Sequence, residues 1–194
     1  YLLIIGIIMF IIKKNYYLYI ENTKSIDLNY LKKNRKIIII YRNKNLIENY
    51  ANLYKFRNMC ALKGFKFYVA NNLKLANYCK ADGLYISSYN KKIYLNYNKN
   101  IVGSAHNFKE INEKIKQGCS DIILSRLFRT SYKNKKSYLG IIKFNLIRKN
   151  YLHNLVPLGG INSSNILKLN IVNTNGFGLL SEIKKKPAIS NRLF

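Results

Sequence analysis

At 194 residues and 48% hydrophobic content, the chain is long enough for one domain with a real core and too apolar to be disordered. Lys and Arg number 34 against 8 Asp and Glu, a net charge of +26 that points to a phosphate-rich partner. Asn, Lys, Ile and Tyr, however, fill 100 of the 194 positions, and all four have A/T-rich codons. The basic surplus therefore reads first as codon bias over a tolerant surface. With no RNA-recognition, helix-turn-helix or zinc-finger pattern beside it, no specific nucleic-acid partner is expected.

The N-terminal run Tyr1 to Ile12 is wholly apolar and closes on Lys13 and Lys14. It is shorter than the roughly 20 residues a membrane-spanning helix needs, and it lacks the basic start and cleavage site of a signal peptide. Residues 1–14 read as a hydrophobic extension packed on the domain, a piece of a membrane anchor, or foreign upstream sequence. Membrane contact is expected only if the extension is genuine. From residue 15 the domain proper begins. Tyr16–Ile20 predicts a strand, Ser25–Asn34 a short helix, and the isoleucine-dense Lys36–Tyr41 a second strand. Leu46–Lys63 has helical spacing and stops at Gly64. Phe65–Ala70 is the next strand, Leu73–Cys79 a short helix, and Gly83–Ile86 a strand followed by a Tyr/Asn/Lys-rich stretch. Asn100–Ser104 is a strand, Phe108–Gln117 a helix ended by Gly118, and Ser120–Ser125 a strand. Tyr138–Arg148 is helical, Leu155–Leu158 a strand, Ser163–Leu169 a helix, and Gly176–Leu180 the last strand. Cys60, Cys79 and Cys119 show no CxxC spacing and read as reduced core residues of a cytoplasmic protein.

Eight strands alternating with helices demand parallel pairing and right-handed crossovers. A closed cylinder removes both sheet edges, so the expected fold is α/β: a small (β/α)8 TIM barrel over 15–194 with a stunted last helix. An open doubly wound sheet is the alternative. In a barrel, function sits on the loops after the strands. These carry Arg42 and Lys44, Asn71 and Asn72, Ser87 to Asn90, Ser104 and His106, Arg129 to Lys133, Gly159 and Gly160, and Ser181. Basic and hydroxyl groups dominate, with Glu182 the one carboxylate, so the ring suits an anion. Asp82 and Asp121 begin strands at the opposite end and read as structural caps or ion pairs. Tyr85, Tyr89, Tyr94 and Tyr97 read as barrel-wall packing before a stacking platform.

The order of these loop residues resembles the thiamin phosphate synthase family. Arg42-Asn43-Lys44 is similar to its "R-E-K", Asn71-Asn72 to "N-D", and Ala81-Asp82-Gly83-Leu84-Tyr85-Ile86 to "A-D-G-V-H-L/I". Gly103-Ser104-Ala105-His106 is similar to "G-x-S-x-H", Phe128 to Lys133 to "F-P-T-x-T-K", Leu158-Gly159-Gly160-Ile161 to "I-G-G-I", and Gly176 to Ile183 to "G-V-A-v-i-S-a-I". The register holds from about residue 16 to 183. The resemblance implies joining of hydroxymethylpyrimidine pyrophosphate to thiazole phosphate with release of pyrophosphate. It implies that Arg42, Lys44, Asn71 and Thr130 hold the pyrophosphate and pyrimidine. Gly159, Gly160, Leu180 and Ser181 would cradle the thiazole phosphate by their main chain, and Ser104, His106 and Lys133 would be catalytic.

Its two magnesium-binding Asp positions are Asn72 and Asn90 here. Neutral amides are poor magnesium ligands beside carboxylates, so magnesium is expected only if synthase activity survives, unless Arg126 and Arg129 substitute for the ion. The position two before Arg42 is Ile40 instead of Gln, and Arg129 stands for Pro. Two other readings stay open. One is the metal-free TenI-type thiazole tautomerase branch, with His106 as proton shuttle. The other is a non-catalytic binder of thiazole or thiamin phosphates. In each, the partner is a small phosphorylated molecule, and oligomeric state is not legible.

Overall fold

The computed structural model describes residues 14–43, 48–130, 137–162 and 164–179. Within them eight parallel strands close in sequence order: β1 (Asn15–Ile20), β2 (Ile37–Tyr41), β3 (Lys66–Ala70), β4 (Gly83–Ile86), β5 (Asn100–Ala105), β6 (Asp121–Ser125), β7 (Asn154–Leu158) and β8 (Gly176–Leu179), with β8 pairing back to β1. The open-sheet alternative is thereby excluded. The N-terminal extension and the segment after β8 lie outside the described residues. Among the described residues no helix is long and apolar enough to cross a membrane.

The strands read as unbroken apolar runs because helices or turns cover one face and the barrel interior covers the other. Alternation sends Tyr17, Tyr19, Ile38, Ile40, Tyr68, Tyr85, Val102, Ile123 and Val156 inward as one buried cluster. Four of these are tyrosines, bulkier than a barrel of this size holds without relief. Glycines supply it. A Cβ on Gly83 would lie 2.4 Å from the Tyr68 ring, one on Gly176 3.0 Å from Tyr17, and one on Gly178 2.6 Å from Leu158. Large and small residues on neighbouring strands thus interlock. Tyr85 belongs to this packing, Tyr94 is buried beneath the loop after β4, and Tyr89 is exposed.

The outer layer holds α1 (Tyr50–Leu62), α2 (Leu73–Tyr78), α3 (Phe108–Lys116) and α4 (Gly140–Lys149). Asparagine starts three of them: Asn49 accepts from Ala51 N–H, Asn72 from Leu75 N–H and Asn107 from Glu110 N–H. Two expected helices are corrected. Ser25–Asn34 forms two 3-10 turns, Thr23–Ser25 and Leu28–Tyr30, and Ser163–Leu169 forms one, Ile166–Ile171. Leu28 and Leu31 are both buried, a spacing of three that one tight turn satisfies without a full helix. The helix expected from Leu46 begins at Tyr50, after the Asn49 cap.

Asp82 and Asp121 sit at the N-terminal end of the strands, opposite the mouth. Asp82 pairs with Arg57 at 3.1 Å and accepts the Phe67 N–H at 2.9 Å, and Asp121 accepts the Asn154 amide. All three cysteines are free and buried, and burial pushes the Cys60 and Cys119 thiols up to about 12.

Candidate functional site

Register fixes which strand ends meet at the mouth. β5 and β6 align Ala105 with Leu124, so His106 emerges beside Ser125, and its exposed ring places Nδ1 2.7 Å from Ser125 Oγ. Glu110 sets the entry angle: its carboxylate accepts the His106 N–H at 2.8 Å and the Asn107 amide at 3.0 Å, while Asn107 caps α3. Ser104 lies one inward position lower on β5, buried like Val102. Ser125 was absent from the residues singled out in the sequence. Its signal is parity, since it shares the inward face of β6 with Ile123.

β6 and β7 align Ser125 with Leu158, which lays the chain after β6 across the glycine pair. Leu127 N–H donates to Leu158 C=O at 2.9 Å and Phe128 N–H to Gly159 C=O at 3.0 Å. Gly159 and Gly160 have φ of +99° and +69°, a region that favours glycine. A Cβ on Gly160 would lie 2.4 Å from the Arg129 carbonyl oxygen and 2.6 Å from Phe128 backbone, so the glycine also admits the neighbouring chain. The Asn165 amide donates to Gly160 C=O at 2.7 Å. On the same rim Arg126 donates to Thr130 Oγ1 at 2.9 Å, which aims the guanidinium.

Across the barrel, Arg42 follows β2, with its N–H bonded to Ile20 C=O at 2.8 Å and its side chain half-buried. Its charge acts on the Tyr19 hydroxyl, whose pKa burial nonetheless holds well above the usual tyrosine range; Tyr85, packed edge-on to Tyr19 at 5.5 Å, adds to the rise. Glu21 directly after β1, Glu48 and Glu110 stand near this end, which corrects the expectation that Glu182, outside the described residues, is the ring's one carboxylate. Glu110 is engaged as above, and Glu48 accepts both the N–H and the hydroxyl of Thr23 at 2.9 Å. The expected site residues Lys44, Lys133, Leu180 and Ser181 lie outside the described residues.

The β3–β4 side is a closed polar network. Asn71 adopts φ +57°. Its Oδ1 accepts Ser87 N–H at 2.9 Å and the Asn90 amide at 3.0 Å, while its own amide donates to Ser87 Oγ at 2.8 Å and Tyr89 OH at 3.1 Å. Asn90 Oδ1 accepts Lys92 N–H at 2.9 Å, and Asn72 Oδ1 caps α2. Both positions that the resemblance assigns to magnesium therefore spend their side-chain oxygens on backbone amides. Among the described residues no group of three or more His, Cys, Asp or Glu is poised for a metal. Two neutral amides already in use do not fit a hard divalent ion that prefers carboxylates.

Behind this network lies a pair the sequence reading missed. Lys114 is fully buried and donates to Asn90 C=O and to Gln117 Oε1, each at 2.7 Å; Gln117 donates to Asn90 C=O at 3.0 Å and Lys92 C=O at 2.9 Å. Gly103 makes room for it, since a Cβ there would stand 2.8 Å from Lys114 Cδ. Burial lowers the Lys114 pKa. The available signal was helical phase: Lys114 follows the buried Ile111 by three positions.

Residues 10–183 match the family model described as thiamine monophosphate synthase. The chain is 30% identical over 138 residues to thiamine-phosphate synthase of Prochlorococcus marinus strain AS9601, covering 66% of this chain and 38% of that protein. It is 28% identical over 161 residues to thiamine-phosphate synthase of Dictyoglomus turgidum, covering 78% and 72%. The chain thus spans little more than a third of the first relative. Among solved structures, thiamine phosphate pyrophosphorylase from Pyrococcus furiosus superposes with a TM-score of 0.72 at 18% identity, over 95% of this chain and 96% of that one, a likeness of fold.

Proposed function

The chain belongs to the thiamine monophosphate synthase family, and from that premise we propose that it acts in thiamin biosynthesis, joining hydroxymethylpyrimidine pyrophosphate to thiazole phosphate and releasing pyrophosphate. What carries this reading is the family match over 10–183, laid on a barrel whose open end collects Arg42, Arg126 and Arg129. Ring joining leaves negative charge on the departing pyrophosphate. Fixed guanidinium groups offset that charge by paired hydrogen bonds, and Thr130 pre-aims one of them. Lys44 and Lys133 match residues that the family uses on the pyrophosphate, Asn71 is spent within the rim network, and Ser104 lines the floor.

The thiazole phosphate lies against the main chain of the β7 turn at Gly159 and Gly160, which carry no side chain, and Leu180 and Ser181 match the family's other thiazole-phosphate positions. No step is assigned to magnesium, because Asn72 and Asn90 are engaged within the protein. The test is product formation from the two substrates with the full chain, run with magnesium and again with EDTA. Thiamin phosphate in either arm supports the reading; none at any magnesium concentration removes it.

One observation favours a second reading. His106 Nδ1 and Ser125 Oγ form an exposed couple at 2.7 Å, suited to moving a proton on a bound ring. A tautomerase acting on a thiazole phosphate carboxylate needs that couple and no metal. Isomerisation lost in His106→Ala supports it, and an unchanged rate rules it out.

A further inference from the structure

We propose that Lys114 is a positioning residue that, with Gln117, organises the loop after β4 in place of a divalent ion, so that this end of the barrel keeps its shape without metal. Three observations converge. First, a fully buried lysine is costly unless its donors are used, and Lys114 uses two of its three on the Asn90 carbonyl and Gln117. Among the described residues no carboxylate stands within ion-pair distance of it. Its stem fits because position 103 is glycine. A lysine there serves the loop through its bond to the Asn90 carbonyl.

Second, the loop so held is the one that reaches the mouth. From Asn90 the network runs through the Asn90 amide to Asn71 Oδ1, and from Asn71 to Ser87 and Tyr89. Gln117 adds a second clamp on Lys92 C=O. The β3 and β4 loops are therefore tied to each other in front and to α3 behind. A divalent ion bound between two loops would impose the same tie from the front.

Third, the oxygens an ion would need are occupied. Asn72 Oδ1 accepts Leu75 N–H at 3.0 Å, and Asn90 Oδ1 accepts Lys92 N–H. Metal binding would break a helix cap and a loop bond in exchange for two neutral ligands. The inference goes beyond the proposed function and holds whether the chain is a synthase, a tautomerase or a binder.

Hydrogen exchange and a paramagnetic ion test it on the full chain without any substrate. Amide exchange is followed in a peptide spanning 87–92, with and without magnesium, in the wild type, Lys114→Met and Lys114→Arg. Mn2+ binding is followed in parallel by the electron paramagnetic resonance of the free ion. The expected result is no stoichiometric Mn2+ site and wild-type loop exchange indifferent to magnesium. Loop exchange in Lys114→Met should rise on the order of tenfold or more, the scale of a lost hydrogen bond from a basic group. Lys114→Arg, which keeps a donor, should recover part of it. Should Lys114→Met fail to fold, Gln117→Leu removes two bonds to the same loop and should raise the same exchange. Stoichiometric Mn2+ weakened by Asn72→Ala or Asn90→Ala would overturn the proposal. So would loop exchange slowed by magnesium, or loop exchange untouched by both Lys114→Met and Gln117→Leu.

Discussion

The two sides of the barrel mouth spend their polar groups differently. On the β3–β4 side, Asn71, Ser87, Asn90, Lys114 and Gln117 satisfy one another, and little is left to meet a ligand. Elsewhere on the rim, Arg42 after β2 and, opposite it, Arg126 and Arg129 after β6 carry positive charge, and the β7 turn carries two glycines at positive φ. One side keeps the cylinder's rim in shape. The other side has the chemistry for an anion. Polar residues at a barrel's open end are thus of two kinds, and only their partners separate scaffold from site.

Substitutions sharpen that contrast. The largest expected loss of stability is at the junction of β6 and β7. Gly160→Ala combines a left-handed φ with overlap against Phe128 and Arg129 backbone, and should cost about 2–4 kcal/mol in denaturant unfolding. Next comes the scaffold side. Asn71→Ala removes four side-chain hydrogen bonds and leaves alanine at φ +57°, for about 2–3 kcal/mol. Asn71→Gly loses the same bonds without the backbone strain and should fall short of that by about 1 kcal/mol. Equal losses in the two variants would remove the strain contribution.

The cationic groups of the rim should behave in the opposite way. Arg42→Ala should shift the unfolding midpoint little, within about 1 kcal/mol, since the Arg42 main-chain bond survives. The same change should weaken pyrophosphate binding by calorimetry on the order of tenfold or more, the scale of a charge-assisted contact. A variant that unfolds easily yet binds normally would assign Arg42 to the scaffold instead. Smallest of all is the stability effect of His106→Ala, within about 0.5 kcal/mol, because its ring is exposed and its N–H to Glu110 remains. Any large effect of that variant must then appear in turnover.

The strands were legible because their apolar runs are buried on both faces, as at Ile37 to Ile40, where four isoleucines in a row are all buried. The helix starts at Leu73 and Phe108 were legible, whereas the start at Tyr50 was not, because asparagine is so frequent that the Asn49 cap does not stand out by composition. The turn around Leu28 read as a helix because a spacing of three suits both forms. At the mouth, Arg42, His106 and Gly160 were legible from position alone, just beyond a strand. Ser125 and Lys114 were not. The first ends a strand, where parity decides its face. The second is a lysine among lysines, and only tertiary contact shows that this one is inside.

The most direct test is a crystal structure of the full chain soaked with thiazole phosphate. The phosphate group should lie at the open end of the barrel against the main-chain N–H of Gly160, on the rim shared with Arg126. A phosphate seated away from the β7 turn, or on the Asn71–Asn90 side, would contradict the division of labour between the two sides.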